Sequence, residues 1–423
     1  MNVCISIPQQ DIFLFKLYHE PHLYHLRISG GIFMTDFQTG IIALLKCAVT
    51  GAGTQLPDGF SIEEAERFAV KQNITTLVYE GAVLCGISPK EPVMQRMFQR
   101  YIQLMMHSER QIREFERVFH AFDENGIDYL PIKGCTMKKY YPKPELRYMG
   151  DADILIHREQ YDRIQTVMKN LGFEKGLEND YEYHWQNSGL NVELHKSLVS
   201  SAYGFFYDYW KDAWNRAKNP AGTRFALSSE DDFLFQLIHF AKHYRKSGIG
   251  VRYLLDLWVF LKNHPNLDEA YLERELSRLN LSEFNHNIQN LIYAWFEDGE
   301  TTEKTDFMTD YLFSGNSWGS WKNTQIYNVS IKKKSNAHGK FSFLISKLFP
   351  PLTTMIFQYP VLKKIPVLLP VFWIIRLGNY WIRNPQNRKK ATYIMTKVSD
   401  EMVNMRKDHM QYVGLSFEDE QKV

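Results

Sequence analysis

The chain has 423 residues, a formal net charge of +2, 44% hydrophobic and 23% charged residues, the balance of a folded protein with room for two or three domains. So small a net charge offers no case for a polyanion, and no nucleic acid is expected as the main partner. Four scattered cysteines, Cys4, Cys47, Cys85 and Cys135, have neither disulfide-framework nor metal-site spacing and fit a reducing cytoplasm.

Residues 1–33 show no clear period and read as an irregular arm. They lack a cationic n-region and a small-residue cleavage site, so no secretory leader is expected. The amphipathic pattern begins directly after Met34, which is the expected natural start. Residues 34–126 read as a helical region. Ile41, Leu44, Leu45 and Ala48 recur at helix spacing, and Gly51 and Gly53 end the run. Ser61-Ile62-Glu63-Glu64 has the form of a capping box opening a second helix. Ile74–Leu84 is another apolar helix. A long one follows from about Val93 to Glu124, with Met97, Leu104, Phe115, Val118, Phe119 and Phe122 on its face. Gly126 stops it.

The centre of the chain, 127–200, reads as an α/β domain. Ile127–Ile132 is a short apolar strand ending in Lys133-Gly134. A short helix follows, Cys135–Tyr141, stopped by Pro142. Such a turn lets a backbone approach a phosphate closely, and a helix N-terminus favours an anion. The spacing fits neither the P-loop nor the dinucleotide fingerprint. Gly150-Asp151-Ala152-Asp153-Ile154-Leu155-Ile156 then opens a buried strand. Side chains alternate along a strand, so Asp151 and Asp153 share one face while Ala152, Ile154 and Ile156 take the other. Two carboxylates so placed repel unless a cation lies between them, and oxygen ligands suit Mg²⁺. Residues 158–171 form an amphipathic helix. Tyr181–Trp185 and Leu190–His195 are strands joined around Asn187-Ser188-Gly189. Glu193 and His195 share a face opposite Val192 and Leu194.

Residues 201–313 read as helical again. Glu230–Arg245 carries His239 and His243 one turn apart, and Val251–Lys262 carries Arg252 and Asp256. The two histidines lack the Glu of H-E-x-x-H and a nearby third ligand, which argues against zinc. Residues 314–340, with Gly315, Gly319 and Lys332-Lys333-Lys334, read as a linker or exposed loop. Residues 341–415 are apolar, aromatic and basic, and broken by Pro350, Pro351, Pro360, Pro366 and Pro370. Ile365–Leu377 is too short to span a bilayer. With Lys363, Lys364, Arg376, Arg383, Arg388, Lys389 and Lys390 around it, the segment either lies on a membrane surface as a peripheral contact or packs on the helical regions. Residues 416–423 read as a disordered tail.

Lys133-Gly134, a Pro-bearing loop with Arg147, then Asp151-x-Asp153 before Ile154-Leu155-Ile156 resembles the DNA polymerase β-type nucleotidyltransferase superfamily, and within it the uncharacterised bacterial nucleotidyltransferases. The resemblance implies an α+β fold, with a small mixed-sheet catalytic domain packed between helical N- and C-terminal regions. It implies transfer of a nucleoside monophosphate from a nucleoside triphosphate to an acceptor hydroxyl or similar group, with release of pyrophosphate. The acceptor could be a small molecule, a lipid-linked group or a protein. Asp151, Asp153 and Glu193 would be catalytic and hold two Mg²⁺ ions. Lys133, Gly134, Thr136, Arg147 and Arg252 would bind the nucleotide, with Thr136 supplying the hydroxyl because Gly134-Cys135 stands where the superfamily has Gly-Ser. His195, His239, His243 and Asp256 would line the substrate site, and Glu182 is the next carboxylate to consider after Glu193. A non-catalytic nucleotide-binding protein or a membrane-associated scaffold is the alternative reading.

Overall fold

The computed structural model describes residues 34–219, 222–317, 319–335, 345–346, 348–379 and 385–416. The arm expected over 1–33 and residues 417–423 of the expected tail lie outside them. The fold is α+β, with one five-stranded mixed sheet in the middle of the chain and helices before and after it in sequence.

Among the described residues, four helices precede the sheet. α1 (Asp36–Thr50) opens with a capping box, in which Thr35 Oγ1 accepts from the Gln38 N–H and Gln38 Oε1 accepts from the Thr35 N–H, and it closes on Gly51 in the left-handed region. α2 (Ile62–Gln72) is capped by Ser61, which accepts from the Glu64 N–H at 3.3 Å. α3 (Thr75–Leu84) packs on α1 through Gly81, where a Cβ would stand 2.1 Å from the Leu44 carbonyl oxygen, so the two backbones meet only because Gly has none. α4 (Pro92–Glu124) runs for 33 residues and starts with Pro at its first position, where the missing N–H costs no helical bond.

The sheet contains β1 (Tyr129–Ile132), β2 (Ala152–Ile156), β3 (Glu174–Glu178), β4 (Glu182–Gln186) and β5 (Asn191–His195) in the spatial order β1-β2-β5-β4-β3. Only β2 and β5 are parallel; the other pairs are antiparallel. Between β1 and β2 lie a four-residue helix, α5 (Gly134–Met137), and two short 3₁₀ turns, Lys138–Tyr140 and Pro144–Leu146. α6 (Tyr161–Asn170) crosses from β2 toward β3. Phe115, Phe119 and Phe122 of α4, together with Ile164, Val167 and Met168 of α6, bury one face of the sheet against Ala152, Ile154, Ile156, Val192 and Leu194. The opposite face carries the polar residues of β2, β4 and β5.

α7 (Gly204–Trp210), α8 (Ala213–Arg216), α9 (Ser229–Lys246), α10 (Val251–Asn263), α11 (Glu269–Arg278), α12 (Ser282–Phe296) and α13 (Glu303–Ser314) follow. Two compact units emerge. One holds the described residues of Gly31–Ala241 and Ile249–Ser317, including the whole sheet. The other holds Lys242–Gly248 and the described residues of Trp318–Phe417.

In the second unit the sequence expectation of a loop over 314–340 needs correcting. Trp321–Ser335 is a helix, α14. Its Ile326 and Val329 are buried with Ile394 of α17 (Pro385–Thr396) and Val403 of α18 (Asp400–Tyr412). The glycines and the lysine run mask that short apolar face in the sequence. Between them lie α15 (Leu352–Gln358) and α16 (Leu369–Leu377). No described helix is long and apolar enough to cross a membrane.

Candidate active site

The site lies on the polar face of the sheet, and strand register assembles it. Asp153 of β2 is the register partner of Glu193 of β5, and Glu193 is in turn the partner of His184 of β4. Paired residues on neighbouring strands project to the same side, so the three stand in a row. Two residues along β5, His195 pairs with Glu182, which adds a second row. Asp151 directly precedes β2 and lies near Glu193, whose charge it opposes.

Asp153 is buried, and its Oδ1 receives two donors: Lys133 Nζ at 2.6 Å and His195 Nε2 at 2.7 Å. Burial alone would raise its pKa, but Lys133 and the His195 hydrogen bond outweigh it and hold the carboxyl well below the usual range. Lys133 mirrors this. Burial disfavours its charge, yet the contact with Asp153 pushes its pKa upward. The fully buried His195 is pushed down by burial and by Lys133, so it is a neutral imidazole whose Nε2–H donates to Asp153. Its Nδ1 has no hydrogen-bond partner among the described residues, with Glu182 Oε2 3.5 Å away.

The remaining acids lack such relief. Burial, then Asp151 and Asp153, push Glu193 up to about 9. Burial and Asp153 push Asp151 up to about 6. Asp151, Asp153 and Glu193 thus gather around the ammonium of Lys133, with Glu182 beside His184 and His195, and burial together with the neighbouring acids keeps the proton on Glu193. Ligand atoms of Asp153, Glu193 and His195 lie within 4.8 Å of one another, as do those of Glu182, His184 and Glu193. A divalent cation fits this donor set: it is rich in carboxylate oxygen and short of countercharge.

The turn after β1 is strained. Lys133 has φ 51° and ψ −118°, a conformation that a side chain rarely adopts. This elbow delivers the ammonium to Asp153. Gly134 follows because a Cβ there would stand 2.8 Å from the Met149 side chain and 3.0 Å from Arg147 Nη1. Thr136 Oγ1 donates to the Lys133 carbonyl at 3.0 Å. Cys135 is buried below Asp153, and burial pushes its thiol up to about 12.

Arg147 and Asp256, which the sequence presents as separate ligands, bind each other. Arg147 Nε and Nη2 donate to Asp256 Oδ1 and Oδ2 at 2.9 Å each, with both side chains buried, and Tyr141 Oη donates to Asp256 Oδ1 at 2.7 Å. The clasp fixes the loop before β2 to α10. Lys138 fixes the same loop from inside: its Nζ donates to Ser108 Oγ at 2.5 Å and to the Arg147 carbonyl at 2.7 Å. Arg252 is buried and donates Nη1 to the Tyr148 carbonyl at 3.1 Å, while its Nε has no partner among the described residues. His239 stacks on Tyr253, with ring centroids 5.8 Å apart, and His243, one turn further along α9, is half-buried. Neither histidine belongs to a metal-capable group among the described residues.

His184 was missed by the sequence reading. Its signal is the alternation along β4, where Glu182 and His184 share one face and the buried Tyr183 and Trp185 share the other.

A family model described as "Uncharacterised nucleotidyltransferase" matches residues 58–297, more than half of the chain. No curated protein and no solved structure matches it. Every side chain of the acidic cluster and of the turn that serves it falls inside the matched span, and the chain belongs to this family of uncharacterised nucleotidyltransferases.

Proposed function

We propose that the protein is a nucleotidyltransferase of the DNA polymerase β type, which moves a nucleoside monophosphate from a nucleoside triphosphate to an acceptor hydroxyl or similar group and releases pyrophosphate. One observation carries the reading: Asp153 and Glu193 are register partners on parallel neighbouring strands, with Asp151 two residues before Asp153 and close enough to Glu193 that their charges interact. Asp151, Asp153 and Glu193 would hold Mg²⁺, which when bound lowers the pKa of an attacking oxygen and neutralises phosphate charge.

The chain's own groups supply the rest. Glu193, with its raised pKa, sits where it can take the acceptor's proton once countercharge favours its ionised form. His195 orients Asp153 through its Nε2–H. Lys133 offers an ammonium beside the acids, where phosphate charge develops. Arg252 offers a buried guanidinium with a spare Nε donor. The Arg147–Asp256 clasp holds the loop that leads into β2 and so fixes Asp151 and Asp153 relative to Lys133.

The test is transfer of label from each of the four α-labelled nucleoside triphosphates in Mg²⁺, with cell extract as acceptor source. The wild type should label an acceptor, and Asp151→Asn with Asp153→Asn should abolish both label transfer and Mg²⁺-dependent nucleotide binding. Far-UV circular dichroism should show the fold retained, with a lower denaturation midpoint, because Asp153→Asn leaves the buried Lys133 ammonium without its partner. Wild-type nucleotide binding by the double variant would refute the assignment.

A further inference from the structure

Between Asp310 and Asp400 the sequence contains no Asp or Glu but fourteen Lys and Arg. So long a stretch of one sign contrasts with a chain whose net charge is only +2. In the middle of it, α15 is followed by two 3₁₀ turns, Pro360–Lys363 and Pro366–Leu368, and then by α16. Met355 and Leu362 are buried beneath these elements, but α16 has no buried residue at all.

What α16 and the 3₁₀ turn before it leave most exposed is aliphatic. Val367 is 80% exposed, Val371 50%, Ile374 71% and Ile375 45%. Val371, Ile374 and Ile375, spaced i, i+3 and i+4, share one face of α16, and Val367 stands in the 3₁₀ turn before it. The rings turn elsewhere: Trp373 Nε1 donates to the Pro350 carbonyl at 2.9 Å, Phe349 meets Trp373 edge-on, and Tyr359 packs on Phe372. The exposed Lys363 and Lys364 stand in the turn before α16, and Arg376 lies in its last turn.

We infer that the Pro360–Leu377 segment docks on an anionic lipid surface, with Val367, Val371 and Ile374 entering the acyl boundary and Lys363 and Lys364 meeting headgroup phosphates. Aliphatic side chains beside basic ones are what such an interface takes up. A single-stranded nucleic acid would call for exposed rings on which bases stack, whereas Tyr359, Phe372 and Trp373 are half-buried and engaged with neighbouring groups. A second copy docking through the same face would bring lysines against lysines, with no carboxylate in the segment to answer them. With no described helix able to cross a bilayer, the contact is peripheral.

Flotation of the full-length protein with vesicles tests this without reference to its catalysis. The protein should rise with phosphatidylcholine vesicles containing phosphatidylglycerol, much less with phosphatidylcholine alone, and less again at high salt, since exposed charges are screened. Val371→Glu with Ile374→Glu should cut partitioning by roughly ten-fold or more. Lys363→Glu with Lys364→Glu should cut it at least as far, at roughly five-fold per lysine removed, and flatten the salt dependence. All four side chains are exposed, so the melting temperature of both variants should match wild type. The inference is overturned if nothing floats at low salt, or if both variants float like wild type. It is equally overturned by binding to a mixed-sequence single-stranded RNA in place of vesicles, or by a wild-type dimer that Ile374→Glu dissociates.

Discussion

Lys133 concentrates the local physics of the site. The other described non-glycine residues with positive φ, Asn73, Asn280 and Asp298, are of the types that tolerate it, whereas lysine does not. A backbone of this kind stores about 1–3 kcal/mol and persists only where neighbours enforce it. Lys133→Ala and Lys133→Gly both remove the ammonium and should both lose label transfer. Only the glycine variant relieves the strain. After the entropy that Gly adds to the unfolded chain, it should be more stable than the alanine variant by about 1 kcal/mol, read from urea midpoints. Equal midpoints would mean that the elbow is not strained. Glu193 gives a second residue-scale test. Its folded pKa, about 9, lies above its ordinary 4.5. Its contribution to metal-free stability is therefore fully present below about 4.5 and is lost as pH rises through about 9. In chelator, unfolding midpoints should fall between those values, and Glu193→Gln should flatten the fall. The same variant should lower turnover by about 10²–10⁴-fold while nucleotide affinity changes little.

Among the elements, the Arg147–Asp256 clasp joins two pieces of chain that the sequence gives no reason to pair. Both groups are buried, so Arg147→Ala should cost about 3–5 kcal/mol by leaving an uncompensated carboxylate, and Asp256→Ala should cost about as much. Arg147→Ala combined with Asp256→Ala should cost clearly less than the two single changes added together. Additive denaturation midpoints would show that the pair is not coupled. Asp-x-Asp, the Lys-Gly turn and the β5 carboxylate were legible because period-two alternation and glycine punctuation are local signals. The clasp was not: a buried Arg and Asp in distant segments look the same in sequence as two substrate ligands. β3 escaped for another reason. Four of its five residues, Glu174 to Leu177, are exposed and the fifth is half-buried, so this edge strand lacks the alternation that betrays β4 and β5.

At the scale of the molecule, the family match and the whole acidic cluster fall in the unit that contains the sheet. The second unit has its own buried cluster and its own polar ties. Arg406 of α18 is buried and donates Nη2 to the Tyr244 and Arg245 carbonyls at 2.9 Å each, and the Tyr244 hydroxyl and His409 Nε2 share a hydrogen bond at 3.1 Å. Separate cores open separately, because amide exchange reports the free energy of the local cooperative unit. A ligand that binds only the folded site stabilises the unit holding it, by about 2.7 kcal/mol at one hundred times its dissociation constant. Saturating Mg²⁺ and nucleoside triphosphate should therefore slow exchange in Tyr129–Ile132, Ala152–Ile156 and Asn191–His195 by up to about a hundred-fold, where exchange proceeds through opening of that unit. Exchange in Asp400–Tyr412 should stay as it is without ligand. Protection confined to α18, with the three strands unchanged, would place the nucleotide away from the acidic cluster, and Asp151→Asn with Asp153→Asn would then leave that protection intact.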